Sequence, residues 1–193
     1  MCLDEKPVAL HADVRPARPA RPGHVAKRDN EYRRCGTANV FAVVEPNGGR
    51  HFTRATPDRS AAQFARVVRR VMAAYPRART IHLVMDHLNI HCEKSLTDHL
   101  THRIGRRLWR RLTVHFTPKH GSWLNQAEIE LSLVRRGCLG RRRISSLHDL
   151  RREINAWNGR ANRTHTRIRW QFTRNDARSK FGYQKQLSKR SET

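Results

Sequence analysis

Short apolar runs that suit β-strands alternate along this chain with amphipathic segments that suit α-helices. The segment "ANVFAVVEPNGGRHFTRATP" predicts a hairpin, because Asn47 and Gly48 accept the positive φ of a tight turn. A helix is predicted next over "SAAQFARVVRRVMAAYP", with Ser60 as its N-cap and Pro76 at its end. An apolar strand then ends at Asp86, and a helix in "EKSLTDHLTHRIGRRLWRRL" and a strand in "LTVHFTP" follow it. This alternation predicts an α/β fold, a mixed sheet with helices on its faces.

Two more amphipathic helices are predicted in the second half of the chain. The first lies in "SWLNQAEIELSLVRRGCLGRR" and opens at Ser122, and its apolar stripe includes Trp123, which we expect in the core. The second covers "SLHDLRREINAWNGRAN". The prolines of "HADVRPARPARPGH" exclude a helix or an inner strand, so we expect an extended basic loop there. One domain over residues 1–180 is predicted, followed by a short terminal turn and a frayed basic tail over 181–193.

Charge is the strongest compositional signal. The 193 residues include 40 Lys and Arg against 16 Asp and Glu, a formal net charge of +24. A biased coding preference for arginine contributes to this number, but the positive field attracts polyanions in either case, and nucleic acid is the commonest. The four cysteines form no CxxC pair, which argues against a zinc knuckle or a disulfide framework. With no export signal and no long apolar run, a cytoplasmic, nucleoid-associated protein is expected.

Acidic residues are scarce, so those at the ends of apolar elements stand out: Asp4 in "CLDEKP", Asp86 in "VMDHLNIH", and Glu128 or Glu130 in "AEIEL". Asp86 alone would as readily start a turn, and both glutamates flank the helical apolar stripe at similar angles, where they would as readily be ordinary solvated acids. Nearby cations are expected to hold clustered carboxylates ionised at low pKa. Such carboxylates are good ligands for hard divalent cations, two of which, about 4 Å apart, can cleave a phosphodiester.

A family resemblance rests on a series of motifs found in one order along residues 1 to about 180. They are "CLDEKP", "YRRCGTANVFAVV", "VMDHLNIH", "HFTPKHGSWLNQAEIELS" and "LRREINAWNGRAN". In this order they resemble the catalytic domain of mariner-like bacterial insertion-sequence transposases, the insertion sequence 630 group, which has a DDE nuclease domain. The resemblance implies a ribonuclease-H-like fold with a five-stranded mixed sheet, and three carboxylates that bind two Mg²⁺ or Mn²⁺ ions.

Carried over by motif, the resemblance makes Asp4, Asp86 and Glu128 the three catalytic, metal-binding acids. It also implies contacts with DNA at Lys119, His120, Asn89, His91 and Asn125. A hydrogen-bonded structural role for His91 is an equal alternative. The implied activity is hydrolysis of a phosphodiester at the element end, followed by strand transfer into target DNA. A catalytically inactive DNA-binding remnant is the alternative, and an RNA-associated structural protein would explain the charge but not the three acids.

Two features depart from the family pattern. Family members usually have Asn directly after the second acid, whereas this chain has His87. The chain also begins three residues before Asp4, without the N-terminal helix-turn-helix region that reads terminal repeats, so a shortened first strand is expected. The expected partners are therefore DNA at element ends and target, a possible second copy of the chain, and a separately encoded helix-turn-helix protein.

Overall fold

The fold is built on one mixed sheet, and the structure, a computed structural model, describes residues 1–182. The strands are β1 (Cys2–Asp13), β2 (Tyr32–Glu45), β3 (Arg50–His51), β4 (Arg54–Thr56), β5 (Ile81–Met85) and β6 (Leu112–Phe116). Their order across the sheet is β3-β2-β1-β5-β6, and β4 also pairs with β2. The helices are α1 (Ala61–Ala74), α2 (Glu93–His99), α3 (His102–Trp109), α4 (Ala127–Leu133), α5 (Leu147–Arg163) and α6 (Arg174–Phe181).

The mixed α/β architecture agrees with the predicted ribonuclease-H-like fold, but the sheet has six strands where five were expected. The predicted hairpin is present, and its second arm keeps one register against β2 from His51 to Thr56. The prediction that Asn47 and Gly48 take a positive φ is wrong, because the positive φ of this turn, 66°, is at Gly49. That arm is interrupted at Phe52 and Thr53, so it forms β3 and β4 instead of one strand. The expectation of a shortened first strand is wrong, because β1 spans 12 residues and lies at the centre of the sheet.

Strand alternation sends successive residues of β1 to opposite faces of the sheet. On one face, Leu3 packs with Phe41 and with the apolar stripe of α1, which includes Phe64 and Val68. A second group of buried residues covers the other face, where α4 and α5 pack: Leu10, Val40, Ala42, Leu131, Leu150 and Ile154. Cys2, two residues before Asp4, packs against Ala127 of α4. Asp4 therefore points toward the α4 side of the sheet, and its neighbour Glu5 points toward the α1 side.

The single helix predicted after Asp86 is two helices. α2 ends at His99, and α3 begins at His102 with Thr101 as its N-cap, whose side chain accepts from the Ile104 amide at 3.3 Å. The two helices cross closely at Gly105, where a Cβ atom would lie 2.6 Å from the backbone of Leu96. Local periodicity does not show this break, because the close approach depends on how α3 packs on α2.

The helix predicted from Ser122 is also interrupted. A 3₁₀ turn over Ser122–Leu124 comes first, then α4, then a π-helical turn over Val134–Leu139. Trp123 is 37% exposed, so its predicted place in the core is wrong. The 3₁₀ turn removes this residue from the helical stripe, and its ring instead contacts Phe172, 4.9 Å between centroids.

The basic loop and the C-terminal region differ slightly in extent from their predicted segments. β1 takes in residues 11–13 of the predicted basic loop, and residues 14–31 form an exposed loop with an isolated bridge between Arg18 and Lys27. In the C-terminal region α6 is a helix of eight residues with a capping box between Thr173 and Asp176. The rest of the predicted tail, 183–193, lies outside the described residues. No helix within residues 1–182 is long and apolar enough to cross a membrane.

Candidate active site

The three acids selected from the sequence lie on elements that meet at one place in the sheet. Asp4 is in β1 opposite Ala42, and Asp86 directly follows β5. β1 and β5 run parallel with Cys2 beside Val84, so continuing that register by two residues brings Asp4 beside Asp86. Glu128 lies in the first turn of α4, the helix that packs on β1.

The start of α4 is tied to β1 by one buried side chain. Asn125 is 1% exposed, and its Nδ2 atom donates to the backbone oxygen of Leu3 at 2.7 Å. Its Oδ1 atom accepts from the Ala127 amide at 3.2 Å, and its backbone oxygen accepts from the Glu128 amide at 3.0 Å. Asn125 thus holds the first turn of α4, which contains Glu128, against Leu3, the residue before Asp4.

Electrostatics connects the three acids. Burial is the largest cause of a shift that raises the pKa of Asp4 to about 7 from its ordinary 3.8. The Glu5 amide, which donates to Asp4 at 2.8 Å, opposes the shift, while the negative charges of Glu128, Glu5 and Asp86 add to it. The expectation of a low pKa is wrong for Asp4, because burial and nearby like charges outweigh the hydrogen bond from the Glu5 amide.

The two glutamates that periodicity left undecided differ in burial. Glu130 is fully buried, where it accepts hydrogen bonds from Thr53 at 2.9 Å and from the Trp157 indole at 3.0 Å. It also forms an ion pair with His51 at 3.0 Å. Although burial opposes it, these partners hold the pKa of Glu130 below its ordinary value. Glu130 is committed to the protein interior, whereas Glu128 is exposed on the same helix.

A second buried pair joins Glu5, which sequence reasoning missed, to His91, for which a hydrogen-bonded structural role was one of the two predicted alternatives. The Nε2 atom of His91 lies 2.8 Å from a carboxylate oxygen of Glu5, and its Nδ1 atom lies 2.9 Å from Oδ1 of Asp86. Burial opposes protonation of His91, but the hydrogen bond to Glu5 and the charges of Glu5 and Asp86 outweigh it and raise its pKa. The signal in the sequence was the second acid of "CLDEKP", which needs a buried partner if β1 is central.

The predicted DNA contacts divide into two groups. Lys119, His120 and Asn89 are exposed, and His120 has a positive φ of 60°. His91 and Asn125 are 2% and 1% exposed, so the protein encloses both. No surface is left on these two side chains for DNA, and their internal hydrogen bonds replace the predicted contact. His87 is exposed, and its ring stacks on Phe116 of β6 with centroids 4.3 Å apart.

Divalent cations fit this donor set. Partly buried carboxylates that repel one another offer oxygen ligands, which Mg²⁺ and Mn²⁺ prefer, and a bound cation would offset the repulsion that raises the pKa of Asp4. Glu5, Asp86 and His91 also place possible ligand atoms within 4.8 Å of one another. Both ring nitrogens of His91 already face carboxylate oxygens, however, so a cation could take one only by displacing an acid.

The six-stranded mixed sheet with its helices is consistent with the ribonuclease-H-like fold of DDE endonucleases. Residues 1–151 match the family model described as DDE superfamily endonuclease, and the chain belongs to this family. The match includes Asp4, Asp86 and Glu128 and reaches into α5. Comparison with curated proteins gave no match, and comparison with solved structures gave none. Members of the family are nucleases of the transposase type that act on DNA and typically use divalent metal ions.

Proposed function

We propose that this chain is the catalytic domain of a mariner-like insertion-sequence transposase, with Asp4, Asp86 and Glu128 holding two Mg²⁺ or Mn²⁺ ions. The observation that carries the proposal is the parallel register of β1 and β5, which continued from Cys2 and Val84 brings Asp4 beside Asp86, together with the Asn125 hydrogen bond that holds the start of α4 to β1. The raised pKa of Asp4, which burial and the charges of Glu128, Glu5 and Asp86 produce, agrees with this grouping. The chain has a formal charge of +24, yet within residues 1–182 no basic side chain forms an ion pair with Asp4, and the negative charges of Glu128, Glu5 and Asp86 act on it. Such local repulsion is typical of sites that bind a cation.

The proposed reaction has two steps. Water attacks the phosphorus at the element end, the bond from phosphorus to the 3′ oxygen breaks, and a 3′ hydroxyl and a 5′ phosphate result. The 3′ hydroxyl then attacks a phosphodiester of target DNA, and a new bond replaces the one that breaks. Divalent ions supply activation of the attacking oxygen and stabilisation of the leaving oxygen.

The chain's own residues hold and orient the reactants. Asp4 is fixed by the amide of Glu5 and Asp86 by the amide of Leu88, at 2.8 and 3.2 Å, so both carboxylates enter the reaction preorganised. Lys119, His120 and Asn89 are exposed on the loops after β5 and β6, and we assign them to the phosphates beside the scissile bond.

Further phosphate contacts come from arginines that have no internal role. Arg143 is not one of them, because it binds Asp13 at 2.7 Å and the backbone oxygens of Asp29, Asn30 and Glu31. Arg135, Arg136 and Arg141 are exposed on the segment that follows α4. Contacts of this kind give affinity without base recognition, so we expect little sequence preference and a steep loss of affinity with salt.

Recognition of the element ends is proposed to come from a helix-turn-helix protein that acts together with this catalytic domain. A homodimer would present two catalytic domains to the two ends of one element. A competition titration of the 193-residue chain between element-end DNA and random duplex tests whether sequence recognition lies outside the catalytic domain. A preference for element ends over random duplex of about a thousandfold or more would place the specificity in the catalytic domain and contradict this part of the proposal.

A non-catalytic DNA-binding fragment is the second candidate, and His87 favours it. This residue stands where the transposases that the chain resembles usually have Asn, and its ring stacks on Phe116 at the sheet edge. Binding to DNA with a normal salt dependence but without metal-dependent nicking would identify this alternative.

The test of the leading proposal is Asp86→Asn in a nicking assay on supercoiled plasmid with Mg²⁺ or Mn²⁺. We expect the variant to lose cleavage and to bind DNA as well as or better than wild type, because a negative charge near phosphate is removed. Asp98→Asn is the matched control, since Asp98 is an exposed acid that pairs with Lys94 on α2. Retained cleavage in Asp86→Asn would contradict the metal assignment.

A further inference from the structure

Glu5 is a buried acid that the proposed reaction does not use. Its side chain is 4% exposed and lies on the α1 side of β1, opposite to Asp4. A buried carboxylate is costly unless a charged or hydrogen-bonding partner compensates for the loss of water. Among residues 1–182, the ion-pair partner of Glu5 is His91, whose side chain has no exposed surface.

His91 links Glu5 to Asp86 with both of its ring nitrogens. Nε2 contacts Glu5 at 2.8 Å, and Nδ1 lies 2.9 Å from Oδ1 and 3.0 Å from the backbone oxygen of Asp86. The ring packs against Phe64 of α1 with centroids 4.9 Å apart. The imidazole therefore cannot turn without losing contacts on three sides.

The turn after β5 holds the same oxygen of Asp86 from another direction. The Leu88 amide donates to Oδ1 at 3.2 Å, and the His91 amide donates to the backbone oxygen of Leu88 at 2.8 Å. In the described part of the chain, no hydrogen bond or ion pair falls on Oδ2 of Asp86, and this side chain is 40% exposed. One oxygen of Asp86 is thus held by the protein and the other is available to a ligand.

We propose that Glu5 and His91 are positioning residues, a bracket that fixes Oδ1 of Asp86 and leaves Oδ2 to bind a divalent cation. This inference rests on the proposed metal-binding role of Asp86. Groups that orient a metal ligand typically affect metal affinity by about 10- to 100-fold when they are removed. The bracket acts through Asp86 and does not itself touch the ion.

The experiment measures Mn²⁺ affinity of the full chain without DNA by electron paramagnetic resonance, and nicking of supercoiled plasmid over a range of Mn²⁺ concentrations. For His91→Ala we expect Mn²⁺ affinity about 10- to 100-fold weaker than wild type, with nicking largely recovered at saturating Mn²⁺. His91→Asn should retain more affinity than His91→Ala, because its amide can donate to Asp86 as Nδ1 does. His115→Asn is the matched control, because His115 is at an exposed position of β6, and this variant should bind Mn²⁺ like wild type.

Glu5→Gln provides a second variant if His91→Ala does not fold. It preserves shape and hydrogen bonding but removes the charge, so we expect a loss of Mn²⁺ affinity between those of wild type and His91→Ala. Wild-type affinity in both folded Glu5→Gln and folded His91→Asn would overturn the inference.

Spin-echo spectroscopy of the Mn²⁺ complex separates positioning from ligation. We expect no coupling to a histidine nitrogen in the wild-type chain, and a coupling that disappears in His91→Asn would show His91 to be a ligand and overturn the bracket. Asp86→Asn separates this outcome from failure of the proposed function. If Asp86→Asn binds Mn²⁺ like wild type, the proposed function fails, whereas loss of binding in Asp86→Asn with full affinity in the bracket variants contradicts the bracket alone.

Discussion

The pairs His51–Glu130 and His91–Glu5 have the same chemistry and almost no exposed surface, yet they lie on opposite faces of the sheet. Around Glu130, Thr53 and Trp157 complete the set of partners, and the pKa of this acid is lowered. In the other pair, His91 also contacts Asp86, whose side chain is 40% exposed. Glu5 is the sequence neighbour of Asp4, whose pKa is raised to about 7.

The comparison shows how this fold uses buried charge in two ways. Where hydrogen-bond donors and an ion-pair partner surround the acid, as at Glu130, it joins β3, α4 and α5 and contributes to stability. Where like charges face one another, as around Asp4, the folded state is destabilised, and the proposed cation would offset this cost. Trading stability for a functional arrangement of charge is common in active sites.

The largest expected effect on stability concerns the His51–Glu130 pair. His51→Ala leaves the Glu130 carboxylate buried without its ion-pair partner, and removal of one member of a buried pair costs about 3–5 kcal/mol. The free energy of unfolding in urea measures this loss. The Mn²⁺ affinity of the folded fraction should not change, and a loss below about 1 kcal/mol would contradict the assigned role.

The stabilisation by this pair also depends on pH. The pKa of His51 is raised above 6.5 by Glu130 although burial opposes it, so this part is lost as pH rises through the folded pKa. The pKa of Glu130 is lowered, so its part is present above 4.5 and lost as pH falls through the folded pKa. The difference in unfolding free energy between wild type and His51→Ala should therefore be greatest between about 4.5 and 6.5 and fall on both sides.

The second largest effect is stabilisation of the folded chain by an added cation. Mn²⁺ at about one hundred times its Kd should stabilise the wild-type chain by about 2.7 kcal/mol, because it binds the folded state. Thermal unfolding with Mn²⁺, and again after chelation, measures the gain. Asp98→Asn should show the same gain as wild type and Asp86→Asn much less, and equal gains in both variants would contradict the site.

The third effect removes one of the repelling charges. The folded pKa of Asp4 is about 7 against an ordinary 3.8, so its protonated form stabilises the fold at low pH and this stability is lost as pH rises through 7. Asp4→Asn abolishes the loss, and at pH 8 the metal-free variant should exceed wild type by on the order of 2 kcal/mol, allowing for partial exposure. Urea unfolding at pH 8 and near pH 4 tests this, and a variant less stable than wild type at pH 8 would contradict the repulsion.

The same comparison explains what the sequence could predict. The hairpin, α1 and the strand just before Asp86 follow from local periodicity, and the structure confirms them as elements. The choice between Glu128 and Glu130 does not, because the partners of Glu130 come from β3, the adjoining Thr53 and α5, far away in the chain. Glu5 was missed for the same reason, since 86 positions separate it from its partner His91. For His91 the sequence left a DNA contact and a hydrogen-bonded structural role open, and the structure shows the second.

Breaks in helices were the other difficulty. The sequence around Gly105 is compatible with a continuous helix, and the break before α3 depends on the close packing of Gly105 against Leu96. Trp123 fitted an apolar stripe that the 3₁₀ turn before α4 disrupts. In both cases tertiary contacts override a periodic pattern that is satisfactory over one turn.

Iron-directed cleavage of the protein backbone tests most directly whether Asp4, Asp86 and Glu128 share bound cations. Fe²⁺ would replace Mg²⁺, and ascorbate with peroxide would then generate radicals that cut the chain close to the ion. We expect cuts near residues 4, 86 and 128 that excess Mg²⁺ suppresses and that Asp86→Asn lacks. Cuts confined to other segments, or a pattern unchanged in Asp86→Asn, would contradict the account.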